Sequence, residues 1–101
     1  MNVQLKRAVD SRRGAAPDER LIEIRDWLIG AVAERMRLDP TDIHGNEPLY
    51  RYGIDSLERV NIAYQLERWL GFDVDESTLA QLDTIDDVAA HLVHLESTAK
   101  R

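Results

Sequence analysis

Ser56 has the most pointed chemical setting in this chain. It lies in Gly53-Ile54-Asp55-Ser56-Leu57, where a glycine and an acid precede a hydroxyl that opens a helical pattern. The plainest use of such a pair is structural, because Asp and Ser are preferred residues at a helix N-cap. A nucleophilic serine needs more: a base beside it and a donor for the oxyanion. Ile54-Asp55-Ser56-Leu57-Glu58 is not the G-x-S-x-G elbow of a serine hydrolase. His44, His91 and His94 are the available imidazoles. His91 and His94 fall on or beside the apolar stripe of the last helix, which reads as packing or surface. A metal held by that pair would need further ligands, and the sequence nominates none. Asp73-x-Asp75-x-Ser77 begins like a calcium loop, but Thr78 stands where glycine is needed and Thr84 where the glutamate is needed. There is no cysteine, so thiolate catalysis, a disulfide framework and a zinc cluster are excluded.

Helices must position these residues. Glycine and proline are scarce while Leu, Ala, Glu and Arg abound, a balance that favours helix. The first helix is expected over residues 18–37, with Asp18 and Glu19 in the turn where the helix dipole favours negative charge and Pro17 ahead of them. Leu21, Ile24, Leu28, Ala31/Val32 and Arg35/Met36 recur at helical spacing. Pro40 disfavours α geometry at Asp39 and ends the helix. Residues 41–52 form a long connection, and its apolar residues Ile43, Leu49, Tyr50 and Tyr52 predict a loop packed down on the bundle. The second helix runs over residues 56–70 and stops at Gly71. A short helical turn is expected over 77–81. The last helix begins at Thr84, where Thr84-Ile85-Asp86-Asp87 sets a capping residue three before an acid. Ile85, Val88, Ala89, Leu92 and Leu95 make its buried stripe. The fold class is therefore all-α, a small four-helix bundle of three long helices and one short, with a long first loop.

The second helix is apolar on two sides. At about 100° per residue, Ile62, Ala63, Leu66 and Leu70 gather on one face, while Leu57, Val60 and Tyr64 fall within about 60° of one another on nearly the opposite face. One stripe suffices for a surface helix. The second stripe is either an exposed contact surface or a face that the long loop folds over and buries, and the pattern leaves both open.

Gly53-Ile54-Asp55-Ser56-Leu57 resembles the phosphopantetheine attachment motif of acyl carrier proteins, whose core is Asp-Ser-Leu after a Gly-hydrophobic pair. The similarity continues through Val60, Ile62, Leu66-Glu67 and Gly71-Phe72-Asp73-Val74. Upstream, Trp27-Leu28 with Val32 is similar to the family's first helix. Downstream, Leu82-Asp83-Thr84-Ile85-Asp86-Asp87-Val88 is similar to its threonine-capped last helix. The resemblance covers about residues 20–95.

It implies that Ser56 is the covalent attachment point of 4′-phosphopantetheine, added from coenzyme A by a phosphopantetheinyl transferase. It also implies that the chain is a carrier and not an enzyme. A helix N-terminus, with unpaired N–H groups and partial positive charge, suits a phosphate, and the arm supplies the thiol that the chain lacks. Asp55 and Leu57 belong to the recognition motif, and Leu57, Val60, Asn61 and Tyr64 match the family's partner-contact face. Asn61 departs from the acid common there, and Arg59 and Arg68 dilute the negative charge of this helix. These departures tilt the resemblance from fatty-acid synthesis toward polyketide or mixed peptide–polyketide assembly, with acyl-loading, condensing and tailoring enzymes as partners. The alternatives are a peptidyl or D-alanyl carrier, or a carrier-like helical interaction module whose serine is unmodified.

Length and charge bound the rest. The 101 residues fit one domain: residues 1–17 as a flexible leader with a short helix possible over 3–9, 18–96 as the bundle, and 97–101 as a tail. The leader also has a reading as a docking segment. Net charge is −6, and residues 73–96 hold seven acids and no Lys or Arg. Such a chain repels nucleic-acid phosphate and suits basic partner surfaces. No stretch approaches the roughly 18 apolar residues of a membrane span, so a cytoplasmic monomer is expected.

Overall fold

The computed structural model describes residues 17–99; the leader, with its expected helix over 3–9, and the last two residues lie outside them. The described chain is an all-α bundle of four helices: α1 Pro17–Met36, α2 Ser56–Leu70, α3 Glu76–Ala80 and α4 Ile85–Ala99. Two 3₁₀ turns, Pro40–Asp42 and Leu49–Tyr52, interrupt the first loop. Pro17 occupies the first helical position of α1, which its fixed φ favours. The helix stops before Arg37, one residue earlier than the pattern suggested. Arg37 takes a left-handed φ of 57°, and the Leu38 amide donates to the Ala33 carbonyl at 2.9 Å, closing the last turn in a Schellman arrangement. At the other end of the chain, α4 continues three residues past position 96.

Ile24, Leu28 and Val32 of α1, Ile62, Ala63 and Leu66 of α2, Leu79 of α3, and Ile85, Val88, Ala89 and Leu92 of α4 form one core. The most extensive helix–helix contact is between α1 and α4. At the edge of that contact Arg20 donates through Nε and Nη2 to both carboxylate oxygens of Glu96, at 2.7 and 2.6 Å. The same guanidinium sits 5.3 Å above the Trp69 ring, and Trp69 stacks on Trp27 at 5.1 Å. One arginine thereby joins α1, α2 and α4.

The long loop is packed down, as expected, but not through every residue expected. Ile43 and Leu49 are buried. The Tyr52 hydroxyl accepts from the His44 amide at 2.8 Å. Tyr50 is 73% exposed, which corrects its assignment to the packed set. In a 3₁₀ turn residues three apart share a side, so Leu49 and Tyr52 face inward together and Tyr50 faces out. The loop is stitched to the start of α4: Leu49 N–H donates to the Asp83 carbonyl at 2.7 Å, and Asp86 N–H to the Gly45 carbonyl at 3.0 Å. Gly45 permits this approach, since a Cβ there would lie 2.3 Å from an Asp86 carboxylate oxygen.

The short helix covers Glu76–Ala80, one residue N-terminal to the expected span, because Asp75 caps it. Asp75 accepts from the Ser77 hydroxyl at 2.9 Å, from the Ser77 amide at 3.0 Å and from the Thr78 hydroxyl at 3.3 Å. These bonds, the Ser77 hydroxyl foremost, hold the carboxyl below the usual carboxylate range. A depressed folded value means that the cap's contribution is present above the unfolded carboxyl value and is lost as pH falls through the folded one. Protection of the α3 amides, taken relative to intrinsic exchange at each pH, is accordingly expected to fall on acidification before that of α1 and α2; a uniform change in all helices by NMR would refute this.

Candidate functional site

Gly53 and Ile54 deliver the chain into α2. Gly53 closes the second 3₁₀ turn with φ 84°, and its amide donates to Leu49 and Tyr50 carbonyls. A side chain at that φ is strained, so the glycine is conformationally required. Ile54 is buried beneath the turn and pins the chain there. Asp55 is the N-cap, its side chain accepting from the Glu58 amide at 2.9 Å, and its carbonyl accepts from the Arg59 amide at 3.0 Å. The cap is therefore the aspartate, and Ser56 is the first residue of the helix.

That division leaves Ser56 unencumbered. It is exposed, and among the described residues no hydrogen bond engages its hydroxyl. The amides of Ser56 and Leu57, in the first turn, have no acceptor inside the helix, and the positive end of the dipole lies there. A phosphodiester on the Ser56 oxygen would meet donors and favourable charge, and solvent on its outer side. The site thus fits a phosphate-linked arm.

The structure resolves the question of the second stripe. Leu57 is 67% exposed and Tyr64 63%, while Val60 and Asn61 are half-buried. The long loop does not cover them, because it is tied to α4 instead. Among the described residues the stripe beside Ser56 is left uncovered at Leu57 and Tyr64, on the face opposite Ile62, Ala63 and Leu66.

Two arrangements lay outside the sequence reading. Arg59 is not a surface charge diluting the acidity of α2. It is half-buried, and its Nη1 donates to the carbonyls of Leu79 at 2.8 Å and Leu82 at 2.7 Å, tethering the turn after α3 to α2. Its place between Leu66 and Leu70 on the core side of the helical wheel was the available signal. Arg35 of α1 pairs with Glu58, fixing the first turn of α2 to its neighbour. Arg59→Met, which keeps the stem and deletes the donors, is expected to cost about 2 kcal/mol in urea unfolding, since two partly buried carbonyls lose their partner. A change below about 0.5 kcal/mol would show the tether to be dispensable.

The other candidates do not assemble. Among the described residues no group of three or more His, Asp or Glu could hold a metal ion. His94 is exposed and His91 half-buried on α4, and the Asp75 of the calcium-like run is spent on capping α3. No helix among the described residues is long and apolar enough to cross a membrane.

A family model described as "Phosphopantetheine attachment site" matches residues 26–92, from mid-α1 into α4, with Ser56 inside the span. The chain is similar to the polyketide synthase PksL of Bacillus subtilis (strain 168), 31% identical over 71 residues, which are 70% of this chain and 2% of that protein. It is also similar to the reducing polyketide synthase hmp8 of Hypomyces subiculosus, 34% identical over 53 residues, 52% of this chain and again 2% of the relative. The chain thus corresponds to a very small part of either protein. No solved structure matches it.

Proposed function

The chain belongs to the phosphopantetheine attachment-site family, and from that premise we propose that Ser56 carries 4′-phosphopantetheine and that the chain holds acyl intermediates as thioesters on this arm. The observation that carries the proposal is the exposed Ser56 hydroxyl, unbonded among the described residues, at the first position of α2, directly after the capping Asp55. In the transfer, the Ser56 oxygen bonds to the phosphorus that bears pantetheine in coenzyme A. The pyrophosphate P–O bond breaks, adenosine 3′,5′-bisphosphate leaves, and the hydroxyl proton passes to a base of the transferase. When bound, the arm supplies the terminal thiol that forms the thioester.

The intermediates we assign are polyketide chains. The similarity to proteins named as polyketide synthases supports this, as does the neutral Asn61 in the surface beside Ser56. Asp55 and Leu57 serve recognition by the transferase. Leu57, Val60, Asn61 and Tyr64 form the surface presented to acyl-loading, condensing and tailoring enzymes. The chain acts as a monomer in the cytoplasm, and its partners perform the bond chemistry.

Intact-mass measurement of the full chain after incubation with coenzyme A and a broad-specificity phosphopantetheinyl transferase tests the assignment. One phosphopantetheine per chain is expected. A protein that stays unmodified with several such transferases would overturn it.

A further inference from the structure

Asp55, Ser56 and Leu57 are exposed one after another, so their own side chains do little to hold the attachment point against the bundle. The first turn of a helix is also its weakest part, because its amides lack intrahelical acceptors and helix ends open at little cost. What keeps Ser56 in place must lie just before and just after these residues.

Both holds come from the last turn of α1. On the near side, the terminal methyl of Met36 lies against Gly53, 3.0 Å from where a Cβ would stand, and the next residue, Ile54, is buried. On the far side, Arg35 donates through Nε to a carboxylate oxygen of Glu58. The Glu58 amide is itself held by the Asp55 side chain at 2.9 Å. Glu58 therefore has two tasks: its amide closes the cap of α2, and its carboxylate ties that cap to α1. The end of α1 that supplies these holds is fixed in turn. Arg37 takes its left-handed φ directly after Met36, and the Leu38 amide closes on the Ala33 carbonyl. The Arg35 and Glu58 side chains are 29% and 24% exposed, and a pair so shielded is screened by salt much less than a surface pair.

We infer that Arg35 is a positioning residue for the loading of Ser56: through Glu58 it keeps the first turn of α2 closed, and with it the geometry in which the serine reacts. This role presupposes that Ser56 is the attachment point. Arg35 acts without touching the reacting atoms, so its effect is one of population. Molecules whose first turn is open do not present Ser56 to the transferase. The KM for the carrier then rises as the inverse of the closed fraction, while kcat, read at saturation, is kept.

Initial rates of phosphopantetheine transfer from coenzyme A to the full-length chain test this, at a temperature where circular dichroism shows every variant folded. Arg35→Met, which keeps the stem and removes the charge, is expected to raise KM about threefold or more, with kcat within about 1.5-fold of wild type. Arg35→Lys, which keeps a cation within reach of Glu58, should recover much of the loss. Glu58→Gln should lose as much as Arg35→Met, and the double variant no more than either, because all three remove the same contact. Hydrogen exchange at the Arg59 amide, which bonds the Asp55 carbonyl, should speed up in Arg35→Met while that at Leu66 stays slow. An unchanged KM in both single variants would overturn the inference. So would losses that multiply in the double variant, since Arg35 and Glu58 would then meet the transferase separately. A raised KM with unaltered exchange at Arg59 would overturn it as well. If Arg35→Met disturbs folding, Glu58→Gln carries the same test from the other side of the contact. Each of these failures, with the wild type loading normally, sinks the positioning role alone. Absence of loading in the wild type would sink the attachment reading itself.

Discussion

Ser56→Ala is expected to yield a protein that keeps its fold and takes up no phosphopantetheine under conditions that load the wild type to completion. The two halves of this result have separate causes. Loading is lost because the reaction needs an oxygen nucleophile at that one place, and alanine has none. Stability is kept because the serine contributes little to the helix: Asp55 caps it, the hydroxyl makes no bond among the described residues, and alanine is the best helix former. The stability change should stay within about 0.5 kcal/mol, as for surface substitutions away from special features. Intact mass reads the first half and thermal unfolding by circular dichroism the second. A variant that still acquires the arm would place the attachment on another hydroxyl. A variant that fails to fold would make Ser56 a structural residue and leave its exposure without purpose.

The largest effect on stability is expected from Leu66→Ala. Leu66 is fully buried at the centre of α2. It lines an apolar cavity of about 30 Å³ shared with Leu28, Val32, Ile54, Leu79 and Val88, which is room for about one water molecule. Truncating leucine in a core costs about 2.7–5 kcal/mol, rising with the volume left empty. Because the space here already exists, the deletion enlarges it where a fully packed site could partly collapse, so the upper half of that range is expected. For a domain of this size each kcal/mol lowers the melting temperature by about 4–8 °C. The loss is a large share of the 5–15 kcal/mol that a domain has. Urea unfolding should show a lower midpoint with the same slope. A cost below about 1.5 kcal/mol would mean that the core around α2 repacks freely. Loading of Ser56 should fall with it on warming, since Leu66 seats the helix that presents the serine.

The two predictions differ in how far they depend on the fold. Ser56 was legible because its signals are local: an acid at the cap position, a serine after it, a glycine two residues before the acid, and a helical pattern beyond. The same locality made Gly71, Thr84 and the core faces of α2 and α4 readable, and the Thr84 hydroxyl does accept from the Asp87 amide at 3.0 Å. Tyr50 misled because its apolar character says nothing about which side of a 3₁₀ turn it occupies. Arg59 misled because its charge was read ahead of its place on the core side of the wheel, and the carbonyls it serves lie 20 and 23 residues away in sequence.

The sequence by itself determined the helices, the threonine cap of the last one, the two apolar faces of α2 and the serine at its start, since each follows from spacing within one or two turns. That Asp55 and not Ser56 caps α2, and that Asp75 caps α3, came from the structure. Only the tertiary structure decided which of those faces is free. That depended on the long loop being drawn to the start of α4 through Leu49, Gly45 and their partners, contacts between residues 34 and 41 positions apart. It also depended on which charges of α2 are consumed inside the bundle. Glu58, Arg59 and Glu67 are spent on partners outside the helix, and Arg68 is left to the surface. Side-chain periodicity reports a residue's direction about its own helix axis. What waits in that direction is set by the packing of the other elements.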